Sequence, residues 1–310
     1  NVDDKILVLV NEKNYNMKVV ENLNVDIAYI YKDRKTHLER KLYKISNFLN
    51  LSFFYKWIGF KNVNLSKYNL IILYECRFPE KIIKYIRTKD NSVKIIYWLW
   101  NTIGKSGCNT KDEIIDLLNK RNIYKFEIFS FDKNDCMEYN LKYNNQVAMK
   151  INFKNNSIKY DLIFCGRDKN RLQIIKKLIN LLPNKKFKIL IMPDIDKKYQ
   201  DDDKRYLIER EISYEKIIEY INKSKCIIDI VQKEQGGLTW RPLEAMFYKK
   251  KLITNFIKIE EYDFYNKNNI FIIGKDNIEC INDFLEKPYK DINEKIVNRY
   301  LPKGWIENFK

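Results

Sequence analysis

Residues 226–255 read CIIDIVQKEQGGLTWRPLEAMFYKKKLITN. The run 226–231 is short, apolar and rich in β-branched residues, as in a buried strand. A loop holding Gly236 and Gly237 follows, then helical spacing over 239–248, then a second β-rich run over 251–255. Strand, helix and strand in succession predict a parallel βαβ unit.

The same alternation extends in both directions. Before this stretch, strands are expected at 161–165 and 188–192 and helices at 170–182 and 214–222, with a last short strand at 270–273. Residues 152–159 are polar, without apolar periodicity, and serve as a linker. Upstream of it, strands are expected at 5–10, 26–31, 69–74, 94–100 and 126–131. The helices between them are placed at 37–48, 79–87, 112–119 and 132–141, two of which open on the favourable starters Pro79 and Asp132. The sequence thus predicts two doubly wound α/β domains, at 1–152 and 160–290, followed by a helical segment at 291–310. Open sheets of this kind bind ligands in the crevice at the carboxyl ends of their strands, so two of them point to a shared cleft. The acidic run Asp201–Asp202–Asp203 is expected to be a solvated loop, with a cation site as its alternative.

Composition narrows the function. At 310 residues and 45% hydrophobic content, the chain has enough apolar surface for two cores, which excludes a peptide, a coiled coil or a disordered tail. No apolar stretch approaches the roughly 18 residues of a spanning helix, and no secretory signal is visible, so a cytosolic location is expected. The six cysteines form no Cys-x-x-Cys pair and are expected to be buried free thiols. With His37 the only histidine, a Ser-His-Asp triad or a histidine-rich zinc site has almost no material.

The net charge of +17 divides evenly, +9 over residues 1–150 and +8 over 151–310, and lysine outnumbers arginine 47 to 11. Arginine does most bidentate base and phosphate recognition, so this excess argues against nucleic acid. Compositional drift is one account of it, attraction to an anionic membrane surface the other.

Two local patterns carry chemistry. In the first, Gly236 and Gly237 let backbone approach a ligand closely, and Thr239 is placed to cap a helix whose N-terminus suits a phosphate. Glu244, between one and two turns into that helix, lies within reach of vicinal hydroxyls such as those of a ribose. An ordinary glycine turn before a helix is the alternative. In the second, Gly166 ends a strand, and Arg167, Lys169 and Arg171 reach the sheet's carboxyl edge, where a diphosphate needs neutralising. A solvated first turn is the alternative for Lys169 and Arg171, and Asp168 is free to pair with either. In the first half, Asn101 is a candidate for a cleft-facing amide or a turn. Phe53, Phe54 and Trp57 are candidates for core packing or for an acceptor or membrane patch.

Taken together, Gly166-Arg167 ahead of a basic helix start, Ser213-Tyr214-Glu215-Lys216 opening the next helix, Asp229 in a strand, and Gly236-Gly237-Leu238-Thr239-x-Arg241-Pro242-Leu243-Glu244-Ala245 resemble the donor half of bacterial GT-B glycosyltransferases of the capsule and lipopolysaccharide type. The resemblance covers 161–273 well and the first half more loosely, through Trp98-Leu99-Trp100-Asn101 and Phe129-Ser130-Phe131-Asp132-Lys133. Residues 293–300 with Trp305 look like that family's last helices, which cross back onto the first domain.

The resemblance implies that Arg167 and Arg171 hold a donor diphosphate. It also implies that the Gly237–Leu238–Thr239 backbone faces phosphate and sugar, that Glu244 binds the ribose, and that residues 211–214 lie near the base. The implied activity is metal-independent transfer of a sugar from a nucleotide-sugar donor to a glycan or lipid-linked acceptor in surface polysaccharide synthesis. No cofactor is expected, and the location would be cytoplasmic, at the inner membrane face. One departure is that the retaining branch often has Glu eight residues before the ribose Glu, where this chain has Gly236. For inversion, the candidate bases at strand ends are Glu12, Glu75 and Asp132. Asp132 is also a natural helix cap, and Glu75 a natural partner of Arg77. A nucleotide-sugar epimerase and a non-catalytic nucleotide-sugar-binding protein are the alternatives.

Overall fold

A parallel sheet covered by helices on both faces leaves few strand side chains facing water, so its strands are apolar at nearly every position. The computed structural model describes residues 5–11, 25–32, 41, 52–105, 108–153, 157–232 and 236–310. In it the apolar runs form two such sheets, each in its own compact unit. The first unit comprises Asn1–Asn145 and Trp305–Lys310, the second Gln146–Gly304. The expected helix at 37–48, apart from residue 41, with His37, and also Glu12, Glu234, Gln235 and the side chains of Phe53 and Phe54, lie outside the described residues.

The first sheet contains β1 (Ile6–Val10), β2 (Asp26–Tyr29), β3 (Leu70–Tyr74), β4 (Lys94–Leu99), β5 (Phe126–Ser130) and β6 (Lys142–Tyr143), in the order β2-β1-β3-β4-β5-β6. All its pairings are parallel. Helices α1 (Pro79–Lys89), α2 (Lys111–Asn119) and α3 (Lys133–Tyr139) follow β3, β4 and β5. One face of the sheet packs Leu7, Leu9, Ile71 and Leu73 against Ile82, Ile83 and Ile86 of α1.

The C-terminal residues complete this unit. The Trp305 ring sits 5.3 Å from Trp98 and 4.8 Å from Phe309, and Phe309 lies 5.0 Å from Phe129. Lys94 Nζ donates to the Phe309 carbonyl at 2.8 Å, and Asn144 Nδ2 to that of Trp305 at 3.0 Å.

The second sheet contains β7 (Tyr160–Arg167), β8 (Phe187–Met192), β9 (Ser224–Asp229), β10 (Lys251–Thr254) and β11 (Ile270–Ile272), in the order β11-β10-β9-β7-β8. It too is parallel throughout. Its helices include α4 (Leu172–Leu181), α5 (Tyr214–Asn222) and α6 (Trp240–Phe247). Leu172, Ile175 and Leu178 of α4 cover Leu162, Phe164 and Ile189. Among the described residues no helix is long and apolar enough to cross a membrane.

Where boundaries differ from the sequence expectation, a side chain accounts for the difference. Helix α4 begins at Leu172 because Lys169 and Asn170 are left-handed, with φ of 40° and 65°. Beyond Asp229 the ladder gives way to Asn255, whose side-chain amide bonds Val231 N at 2.7 Å and Val231 O at 3.0 Å. Helix α2 starts at Lys111 because Thr110 and Glu113 form a reciprocal capping box. The acidic run corrects the loop expectation: Asp201–Lys204 is a helical turn, and Asp203 is buried against Lys176 Nζ at 2.6 Å. The cysteines are all free, but only Cys76 and Cys226 are buried, and Cys280 is exposed.

The fully buried Trp305 offers a direct test. Trp305→Ala should lower stability by about 3–5 kcal/mol through lost burial and a residual cavity. Urea denaturation monitored by tryptophan fluorescence would measure it, and a loss below about 1 kcal/mol would mean that the C-terminal residues do not complete this core.

Candidate functional site

In the second unit the chain leaves β7 for β8 on one side and later resumes at β9 on the other. The connections therefore diverge at the carboxyl ends of β7 and β9, the position where open α/β sheets form a ligand crevice. Arg167 is the last residue of β7 and Asp229 the last of β9.

Two arginines tie this point together. Arg171 donates from Nε to the Ile230 carbonyl and from Nη1 to that of Arg167 at 3.1 Å. Arg241, on α6, donates from Nη2 to the Cys165 carbonyl at 3.3 Å and forms an ion pair with Glu244. Glu244 is fully buried, and its second oxygen, Oε1, has no hydrogen-bond partner. Burial works to lower the Arg241 pKa, but the adjacent Glu244 overcomes it and holds the guanidinium above its ordinary value. Arg171 is drawn below its ordinary value by burial.

Asp229 is 5% exposed and accepts a hydrogen bond from Thr239 Oγ1 at 3.0 Å. Burial pushes its carboxyl up to about 6, against the opposing effects of the Thr239 hydroxyl, Arg241 and Arg171. The Thr239 bond corrects an expectation: Thr239 occupies the N-cap position of α6, but its hydroxyl is given to Asp229 and does not cap the helix. Gly236, Gly237 and Leu238 lie buried beside it.

The remaining expected residues take different places. Arg167 is half-exposed and pairs with Glu211 at 3.6 Å. Lys169 is exposed, and its N–H donates to Asp194 Oδ2 at 2.9 Å. Ser213 caps α5 through the Lys216 N–H, and the Tyr214 ring lies buried 5.5 Å from that of Trp240. Asp168 pairs with neither Lys169 nor Arg171. Its oxygens accept from Leu172 N at 2.9 Å, Lys197 Nζ at 2.6 Å and Tyr199 Oη at 2.9 Å. Burial alone would raise its pKa, but Lys197 and the other donors bring it below the ordinary value.

At the carboxyl edge of the first sheet, two of the candidate bases, Asp132 and Glu75, carry structural bonds. Asp132 is buried and caps α3, its Oδ1 accepting from Asn134 N and Asp135 N. Glu75 does not take Arg77 as its partner. Glu75 Oε2 accepts from Trp100 N at 3.0 Å, Asn101 N at 2.9 Å and Asn101 Nδ2 at 3.0 Å. The Asn101 amide is thus engaged with Glu75.

Two buried groups carry little sequence signal. Asp135 accepts from Ile103 N at 2.8 Å and is pushed up to about 6, chiefly by burial. Asp229 enters the sequence reading only through the donor-half resemblance, as the one charge inside the apolar run 226–231, and its bond to Thr239 is not legible there. Among the described residues no group of His, Cys, Asp and Glu is placed to hold a metal ion.

No protein-family model and no curated protein matches the chain. Solved structures do. Anabaena Alr3699/HepE, crystallised in complex with UDP and glucose, matches over 99% of this chain and 98% of its own, with a TM-score of 0.59 at 10% identity. The GtfA/B complex bound to UDP and GlcNAc matches over 84% of this chain and 56% of its own, with a TM-score of 0.31 at 10% identity. The likeness to HepE shows the fold: two Rossmann-like α/β units in one chain, the GT-B class.

Removing one partner of a buried ion pair strands the other, so Arg241→Ala should cost about 3–5 kcal/mol in chemical denaturation at pH 7. Replacing both, Arg241→Met with Glu244→Leu, should recover most of that loss. Equal stabilities of the single variant and the parent would show that the pair is not buried in solution.

Proposed function

We propose that this chain is a glycosyltransferase. It moves a sugar from a nucleotide-sugar donor to a glycan or lipid-linked acceptor in surface polysaccharide synthesis, without a metal cofactor. The observation that carries the reading is the convergence of Arg167, Arg171, Arg241, Asp229, Glu244 and the Gly236–Gly237 loop at the β7/β9 divergence of a chain with the GT-B fold. Support comes from HepE, the protein of similar fold that was crystallised with UDP and glucose.

Arg167 is the group best placed to meet an incoming diphosphate, because it is half-exposed and its Glu211 partner is more exposed still. Arg171 and Arg241 stand behind it as fixed positive charge. Glu244, with an oxygen still unpartnered, supplies the acceptor for ribose hydroxyls.

In transfer, an acceptor oxygen forms a bond to the anomeric carbon as the bond from that carbon to the phosphate oxygen breaks. The electron pair leaves with the nucleoside diphosphate, whose growing charge the guanidiniums and the start of α6 stabilise. The acceptor proton passes to a carboxylate in an inverting reaction, or to the departing phosphate oxygen in a retaining one. The net charge of +17 favours approach to an anionic membrane, where a lipid-linked acceptor would reside.

A thermal-shift panel of UDP, GDP, CDP, ADP and their sugars tests the site. One nucleotide class should raise the melting temperature, and no response to any of them would refute the reading. Free nucleoside diphosphate released only when acceptor is present separates transfer from mere binding. Arg167→Ala should leave stability within about 0.5 kcal/mol and lower turnover on the order of a hundredfold. Loss of stability without loss of turnover would make Arg167 structural.

A further inference from the structure

Behind the half-exposed Arg167, which ends β7 and pairs with Glu211, the second unit gathers an inner cluster of four ionisable side chains around the ends of β7 and β9. Arg171 contributes positive charge, Arg241 and Glu244 form an ion pair, and Asp229 completes the set. From β10 the residue aligned with Asp229 is Thr254, which carries no charge, and from the loop before α6 the contact is the Thr239 hydroxyl. With Asp229 ionised the cluster sums to zero. With Asp229 protonated it carries one positive charge. A diphosphate held by Arg167 therefore faces an inner cluster that is neutral or cationic according to one carboxyl group, and the two states differ in their affinity for an anion.

Resting on the donor-site reading above, we propose that Asp229 is the charge regulator of the phosphate site: its carboxyl group takes up a proton as the nucleotide-sugar diphosphate docks, so that donor binding and proton uptake are linked. The free protein is already poised for this, since burial holds the Asp229 carboxyl near the middle of the accessible pH range, at about 6. The Thr239 hydroxyl donates to the ionised form and limits how far that rise goes. Asp229 is thus a positioning residue, acting on the ligand through the two guanidiniums.

UDP-glucose and GDP-mannose are suitable probes, because a diphosphate diester does not titrate between pH 5 and pH 8 and any proton taken up belongs to the protein. Isothermal calorimetry of the full chain at pH 6.5, in buffers of differing ionisation enthalpy, should show uptake of a fraction of a proton. Affinity should fall roughly tenfold from pH 6 to pH 7.5. Asp229→Asn should remove both the uptake and the pH dependence and should bind at pH 7.5 as the parent does at low pH. Thr239→Val, which deletes the donor to the ionised carboxylate, should move the midpoint to higher pH, and it keeps the test open if Asp229→Asn does not fold. A parent affinity that is flat with pH, or pH dependence that survives in Asp229→Asn, would overturn the linkage while leaving the donor site standing. If neither probe binds, the sugar nucleotide of the CDP or ADP class takes their place, and failure of all four classes at every pH would overturn the site, and the linkage with it.

Discussion

Arg241 and Glu244 lie three residues apart on α6 and form an ion pair in which Glu244 is fully buried and Arg241 keeps 18% of its side chain exposed. Taking both charges out of water is costly, and only close geometry with further hydrogen bonds offsets that cost. The further bond is to the Cys165 carbonyl, so the pair can be satisfied only with α6 seated against the end of β7. That seat in turn sets where the glycine loop and Thr239 lie relative to Asp229. The net energy of such a pair is small or unfavourable beside an apolar alternative, and what it provides is one position for the helix.

Two buried aspartates in this unit show how environment divides labour between like groups. Asp168 collects an ammonium, a phenol and a backbone N–H, and is held ionised as a clamp on the loop after β7. Asp229 collects one hydroxyl, and burial leaves its carboxyl well above the ordinary value, at about 6. Carboxyls of the first kind maintain structure. Those of the second kind respond to what arrives, and for this reason perturbed groups cluster at functional sites. Arg167, outside this network and half-exposed, has the freedom to follow a ligand that the inner arginines lack.

Much of the fold was legible because parallel strands buried on both faces must be apolar throughout, and such runs stand out without any knowledge of their partners. Local groupings were legible for the same reason: Gly166 with Arg167, or Gly237 with Thr239, are neighbours in the chain. Bonds that close over long sequence separations were not. Thr239 reads as a cap until Asp229, ten residues earlier, claims its hydroxyl. Asp168 reads as a partner of Lys169 or Arg171 until Lys197 and Tyr199 occupy it, and Asp203 reads as solvated until Lys176 meets it. In each case the residue type suggested a polar role, and tertiary packing chose the partner.

The first unit is discontinuous, and this bears on how the molecule comes to be folded. Its sheet strands precede the second unit in the chain, yet Trp305 and Phe309, which fill the space over Trp98 and Phe129, follow it. The second unit is one unbroken segment and can condense before the first is finished. Once it has done so, the span separating the two parts of the first unit is a compact body in place of a long flexible loop, which lowers the entropy lost when the terminal aromatics dock. On this topology the unit whose strands come earlier in the sequence is the one that matures second.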